Sequence, residues 1–289
     1  MKRIDWKFAL LLPVLALTGI AQEVYAEGGK QNAGQQDTAV RKIVVGYGIF
    51  KPITFIDDNG EPTGVDIEAL KLIDELLPEY EFVYQRSDQQ AIFAGLQSGK
   101  IDLATTNSFW TQERENRYLF PKENLGMNIE GLYINRKFTN VKNIEDAAKQ
   151  KLRLAPMLSG DGNHGILLEF NKRHPDTPVE IPLTDNPNWG ANFLNWIAEE
   201  RYDFMIGPKQ SYEFLIKNEN GDLHHLYKDI DFVEFGSVRT WPIFRKGEQE
   251  LADAYDRAVK KLKEDGTLRK LAVRFIGYDT WAYEGDNIY

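Results

Sequence analysis

This sequence predicts an α/β fold made of two successive units, and three observations point to it. Short β-rich runs alternate with segments of helical period from Lys42 onward. The alternation occurs twice, once up to Thr105 and again from Met127 to about Asp231. The tail after Asp231 has helical period and ends in an acidic, aromatic stretch, YDTWAYEGDNIY.

The elements follow in chain order. Lys2, Arg3 and Lys7 give a positive start, and the apolar run Phe8–Ile20 is thirteen residues long. It ends before VYA, with Val24 and Ala26 where a signal peptidase reads. A membrane span needs roughly 17–25 apolar residues, so residues 1–26 are expected to be a secretory signal peptide. The chain has no Cys, so no lipid can be attached at the cleavage site and no disulfide holds the fold. An exported bacterial protein without that anchor is retained only by an outer membrane, and the expected compartment is therefore the periplasm. Residues 27–40 are polar and rich in Gly and Gln and read as a flexible leader. Thirty-five basic and 44 acidic residues leave a net charge of −9, and basic patches interleaved with aromatics, as nucleic-acid binding needs, do not occur.

In the first unit KIVVGYG is a strand, DDNGEPTG a turn cluster, and Ile67, Leu70, Ile73, Leu76 and Leu77 mark a helix that Pro78 stops. YEFVYQ is a strand, QQAIFAGLQSG a helix closed by Gly99, and IDLAT a strand. In the second unit MNIEGLYINR, KLRLAP, VEIPL and YDFMIG read as strands. NIEDAAKQK, GILLEFNKRH, NFLNWIAEER and SYEFLIKN read as helices. In the tail, Leu251, Tyr255, Ala258 and Leu262 form one apolar stripe, Gly266 ends that helix, and TLRKLAVRFIG forms another.

Four segments in this order resemble the periplasmic solute-binding proteins of the polar amino-acid uptake family, which serve ABC transporters. They are Val45–Glu75, which carries Gly64-Val65-Asp66; Leu96–Phe120, which carries Thr111-Gln112-Glu113-Arg114; Arg201–Pro208; and Leu262–Gly277. The resemblance spans about Lys42 to Gly277. It implies a two-lobed type II fold, each lobe a mostly parallel sheet flanked by helices, joined by two crossing segments. The implied order is lobe one over 41–126, lobe two over 127–238, a return to lobe one over 239–277 and an extension over 278–289. Ligand is then expected between the lobes, at loops following strand ends.

On this resemblance Arg114 grips a ligand carboxylate. A guanidinium suits that role because its planar fork matches a carboxylate bidentately; the plainer alternative pairs it with Glu113 or Glu115 on a solvated helix. Asn107 and Phe109 lie on the connection where the family completes the carboxylate cradle. Trp110 either faces the cleft or packs under the helix. Phe50 aligns with the family's stacking aromatic. In lobe two the family's Gly-Thr-Thr-type loop is replaced by SGDGNHG, in which Asp161 and Gly162 are the candidate contacts. Many members carry an Asp for the ligand ammonium at a position occupied here by Pro208, which has neither charge nor N–H. Either Asp161 takes the ammonium or the ligand lacks a conventional free amine. Trp189 is a candidate aromatic wall.

The expected function is therefore capture of a carboxylate-bearing small molecule, an amino acid or derivative, by closure of two lobes. The expected partner is an inner-membrane ABC permease. A ligand-presenting partner of a membrane receptor is the second reading. A dehydratase-type enzyme is the third, with Asp161 or Glu234 as its acid or base. No cofactor and no metal is expected: four His and no Cys form no recognisable ligand set, and no P-loop or dinucleotide fingerprint occurs.

Overall fold

Strand β1 (Arg41–Tyr47) forms in an alternately buried run whose inward residues Ile43 and Val45 are fully buried. In this computed structural model residues 40–185 and 189–286 are described. The expected signal peptide, nearly all of the leader and Asn186–Asn188 lie outside the described residues. After β1 come a small hairpin, β2 (Phe55–Ile56) and β3 (Pro62–Thr63), and helix α1 (Val65–Glu75). Gly64 begins that helix at φ 114°, where a side chain is strained, and a Cβ there would lie 2.4 Å from the Ile53 carbonyl oxygen. Then follow β4 (Tyr80–Arg86), α2 (Gln89–Ser98) and β5 (Leu103–Ser108). β1 pairs in parallel with β4 on one side and β5 on the other. The short helix α3 (Gln112–Arg117) leads to the long strand β6 (Gly126–Asn135).

The second lobe adds α4 (Ile144–Lys149), α5 (Gly162–Arg173), α6 (Trp189–Ala198), β7 (Phe204–Pro208) and α7 (Lys209–Tyr212). β6 is antiparallel to β7, with Glu130 opposite Pro208. KLRLAP and VEIPL do not become strands. Each makes a single parallel bridge, Leu154 with Phe204 and Met157 with Leu183. The SYEFLIKN helix is likewise broken, α7 passing into a π turn over Glu213–Lys217.

Strand β8 (Ile230–Phe244) joins the two halves. It runs antiparallel to β6 over Ile230–Thr240 and then pairs with β5, Leu103 opposite Phe244. The strand order is β4-β1-β5-β8-β6-β7. The sheets are thus mixed, not mostly parallel throughout. The chain leaves lobe one along β6 and returns along β8, and two adjacent segments of opposite direction must pair antiparallel.

Helices α8 (Gln249–Glu264) and α9 (Thr267–Ile276) pack on lobe one, where Leu251, Tyr255, Leu262 and Leu268 join Ile43, Leu70 and Phe82 in one core. Lobe two buries separate clusters. Leu132, Ile134, Ile166 and Leu167 lie in the cluster under α4 and α5, and Tyr133, Phe193 and Ile197 in the cluster under α6. Residues Thr280–Asp286 form a final 3₁₀ turn. It seats Trp281 in the lobe-one core and accepts a 2.7 Å hydrogen bond from Ser237 Oγ at the Tyr283 carbonyl. Among the described residues no helix is long and apolar enough to cross a membrane.

Candidate functional site

β5 leads to the seam between the lobes. Its buried Thr105 donates a 2.5 Å hydrogen bond to Asp66, the acid of the Gly64-Val65-Asp66 element. Burial pushes the Asp66 carboxyl up to about 6, and the Thr105 hydroxyl pulls against that shift. At the end of β5, Asn107 adopts φ 51°, a left-handed conformation that Asn tolerates better than most side chains. It lines a small pocket with Asp66, Gly126, Asn128, Thr240 and Trp281.

Thr111 then caps α3, its hydroxyl accepting from the Arg114 N–H at 3.2 Å. The Arg114 guanidinium folds back over this connection. One nitrogen donates to the Phe109 carbonyl at 3.0 Å, and the other crosses to lobe two and donates to the Gly160 carbonyl at 3.1 Å. Glu113, one of its expected alternative partners, pairs with Arg117 instead.

Phe109 is 5% exposed and belongs to the lobe-two core, beside Leu132, Ile166 and Val238. It reaches that core over Gly162, where an added Cβ would stand 2.2 Å from its ring. Phe109 and Gly162 are thus brought together as a lock between the lobes. Trp110 is 39% exposed and does not pack under the helix. Phe50 is half-buried, its N–H donating to the Thr54 carbonyl at 2.7 Å. Beside it, the Lys51 ammonium meets Asp222 of lobe two at 3.3 Å. Trp189 opens α6, and its side chain lies outside what is described.

On the lobe-two side Asp161 caps α5, its carboxylate accepting from the Asn163 N–H at 2.9 Å. Burial raises its pKa; the Asn163 bond, Arg114 and His164 lower it. Pro208 ends β7, and its carbonyl accepts from the Tyr133 hydroxyl at 2.6 Å. Glu234 is ion-paired with Lys209 at 2.9 Å, and Arg239 with Glu284 at 3.3 Å.

The residue that sequence reading missed is Glu130, opposite Pro208 on β6. It is fully buried and neither carboxylate oxygen has a hydrogen-bond partner. Burial pushes its pKa up to about 8 and the Asp161 charge adds to that; Asn128 lies near enough to favour the ionised form without making a well-formed hydrogen bond. The signal was present, since an acid inside the otherwise apolar and amide run MNIEGLYIN has no solvent face to explain it. Among the described residues no group of three or more His, Cys, Asp or Glu side chains is placed to hold a metal ion.

Residues 43–278 match the bacterial extracellular solute-binding proteins, family 3. The chain is 30% identical to the L-cystine-binding protein TcyJ of Bacillus subtilis, over 93% of this chain and 94% of that one. It is similar to a solved structure of the probable amino-acid ABC transporter extracellular-binding protein ytmK of Bacillus subtilis, at 26% identity and a TM-score of 0.67, covering 82% of this chain and 98% of that one. The unliganded open L-cystine solute receptor of Neisseria gonorrhoeae shares the fold at 22% identity and a TM-score of 0.57, covering 84% and 95% of the two chains. The chain belongs to the bacterial extracellular solute-binding proteins of family 3, the components that capture a small polar solute for an ABC importer.

Proposed function

We propose that this protein is exported to the periplasm and captures an amino acid for an inner-membrane ABC permease, with L-cystine the first candidate ligand. The observation that carries the reading is Arg114, whose guanidinium stands on the seam and donates to backbone of both lobes. A ligand carboxylate received there touches both lobes at once. That contact exists only when the lobes are closed, and a ligand shifts an open–closed equilibrium only through such differential contacts. The choice of L-cystine rests on relatives named as L-cystine-binding proteins, and Phe50 and Trp110 offer aromatic contact to a long side chain.

Native mass spectrometry of the protein from its own periplasm weighs the retained solute and the mature N-terminus, expected at Glu27. Calorimetry with L-cystine then compares the wild type with Arg114→Ala. Truncating one partner of a desolvated charge pair costs about 2–5 kcal/mol, so affinity should fall roughly thirty-fold or more. Arg114→Lys should restore only part, because an ammonium lacks the planar fork. A folded Arg114→Ala protein with wild-type affinity for its solute rejects the carboxylate role.

A further inference from the structure

The C-terminal turn touches three parts of the molecule in a row. Trp281 seats it in the lobe-one core, and Asp279, just before it, pairs with Arg269 of α9. Two bonds tie it to β8, the strand along which the chain returns from lobe two. The Ser237 hydroxyl donates to the Tyr283 carbonyl at 2.7 Å, and the Arg239 guanidinium meets Glu284 at 3.3 Å. The third contact is with lobe two. Lys209, the first residue of α7, holds its ammonium 5.4 Å from the centre of the Tyr278 ring and 5.6 Å from that of Tyr283. The same ammonium pairs with Glu234 at 2.9 Å. Gly131 of β6 stands opposite Glu234 on one side and Gly207 of β7 on the other, so Glu234 belongs to the sheet that carries Lys209. That ion pair travels with lobe two. The two rings do not, because they flank Trp281 and its seat in lobe one.

We propose that the C-terminal turn is a brace that favours the closed arrangement, by holding the Lys209 ammonium of lobe two against rings fixed to lobe one. A cation is attracted to an aromatic face within about 6 Å of its centre, and more strongly where water is excluded. Lys209 meets both conditions, since only 22% of its side chain is exposed and the Tyr278 hydroxyl beside it is buried. Rotation of lobe two about the crossing strands carries the ammonium away from the rings, while Trp281 stays in its core. The contact occurs together with the two that close the seam, Arg114 on the Gly160 carbonyl and Phe109 over Gly162. A contact made in one arrangement alone shifts the equilibrium toward that arrangement, whatever group makes it. The brace thus raises solute affinity by raising the closed population, with no contact to the solute. The inference rests on lobe closure in the functional reading but on no particular solute.

The chain has no Cys, so spin labels attach only where a Cys is introduced, at Lys100→Cys in lobe one and Lys172→Cys in lobe two, both exposed positions. Pulsed dipolar spectroscopy of the full mature protein, stripped of retained solute, reads closed and open populations from the distance between the labels. The closed-to-open ratio should fall about five-fold or more in Lys209→Met, which keeps the stem and loses the cation. It should fall similarly in Tyr283→Leu, which keeps both the Glu234 pair and the carbonyl that Ser237 binds. The double variant should fall little further, because the two changes remove one contact. Lys209→Arg, with a cation over the same rings, should restore most of the ratio. Calorimetry with L-cystine should show affinity falling by a similar factor in each weakened variant. Equal populations in wild type and Lys209→Met, a wild type that is fully open without solute, or single effects that add in the double variant each overturn the inference. If the populations shift as expected and L-cystine does not bind, the brace stands and the L-cystine reading falls.

Discussion

Gly162 shows how one atom can set the closed state. Phe109 leaves lobe one and fills the lobe-two core because nothing projects from Gly162 into its path. Replacing Gly162 by Ala puts a methyl group 2.2 Å from the ring, a separation that the two chains cannot keep. The phenyl ring cannot turn aside easily, since it is packed among Leu132, Ile166 and Val238. The strain is relieved by opening the lobes, which withdraws Phe109 from the lobe-two core and costs that core its packing. Gly162→Ala is therefore expected to melt below the wild-type temperature, to bind its solute at least ten-fold more weakly, and to show a larger radius of gyration by small-angle scattering in saturating solute. A variant that scatters and binds as the wild type does would show that the lobes do not close on this contact.

The elements divide into those legible in the sequence and those whose form depends on distant partners. α1, α2, α8 and α9 are legible because an apolar stripe at helical spacing and a Pro or Gly stop are local signals. KLRLAP and VEIPL have strand composition yet make one bridge each, because how far a strand pairs depends on the partner beside it. The same limit hid Glu130: its type is visible, but its lack of partners is a property of β7, α5 and α7 packed around it. The loops that carry Arg114 and Gly162 were legible, whereas the passage of Phe109 over Gly162 into the opposite lobe was not. The final turn was placed in sequence only as an extension, yet it anchors Trp281 in the lobe-one core at 6% exposure. Trp281→Ala is expected to cost about 3–5 kcal/mol, as large aromatic deletions in cores do. Urea denaturation measures it. A loss below about 1 kcal/mol would assign the turn to the surface rather than to the core.

At the scale of the whole molecule the buried acids set how stability follows pH. Asp66 and Glu130 both bind a proton more tightly folded than unfolded, with folded values of about 6 and about 8. Their contribution is fully present below their unfolded pKa values, near 4, and is lost as pH rises, first through about 6 for Asp66 and then through about 8 for Glu130. Asp203, held below the usual carboxylate range by its bonds from Arg153 against the opposing effect of burial, acts in the other direction, losing its contribution as pH falls below about 4. The interval from pH 6 to pH 8 therefore belongs mainly to Glu130. Over those two pH units the solute-free protein should lose roughly 2 kcal/mol, which lowers the melting midpoint by about 5 °C in a chain of this size. Glu130→Gln carries no proton to lose, so its midpoint should stay level across the same interval and exceed the wild type's at pH 8. A wild-type midpoint that is flat or rising from pH 6 to pH 8, or a variant that falls in parallel with it, would mean that the Glu130 carboxyl is already ionised and partnered in the folded protein.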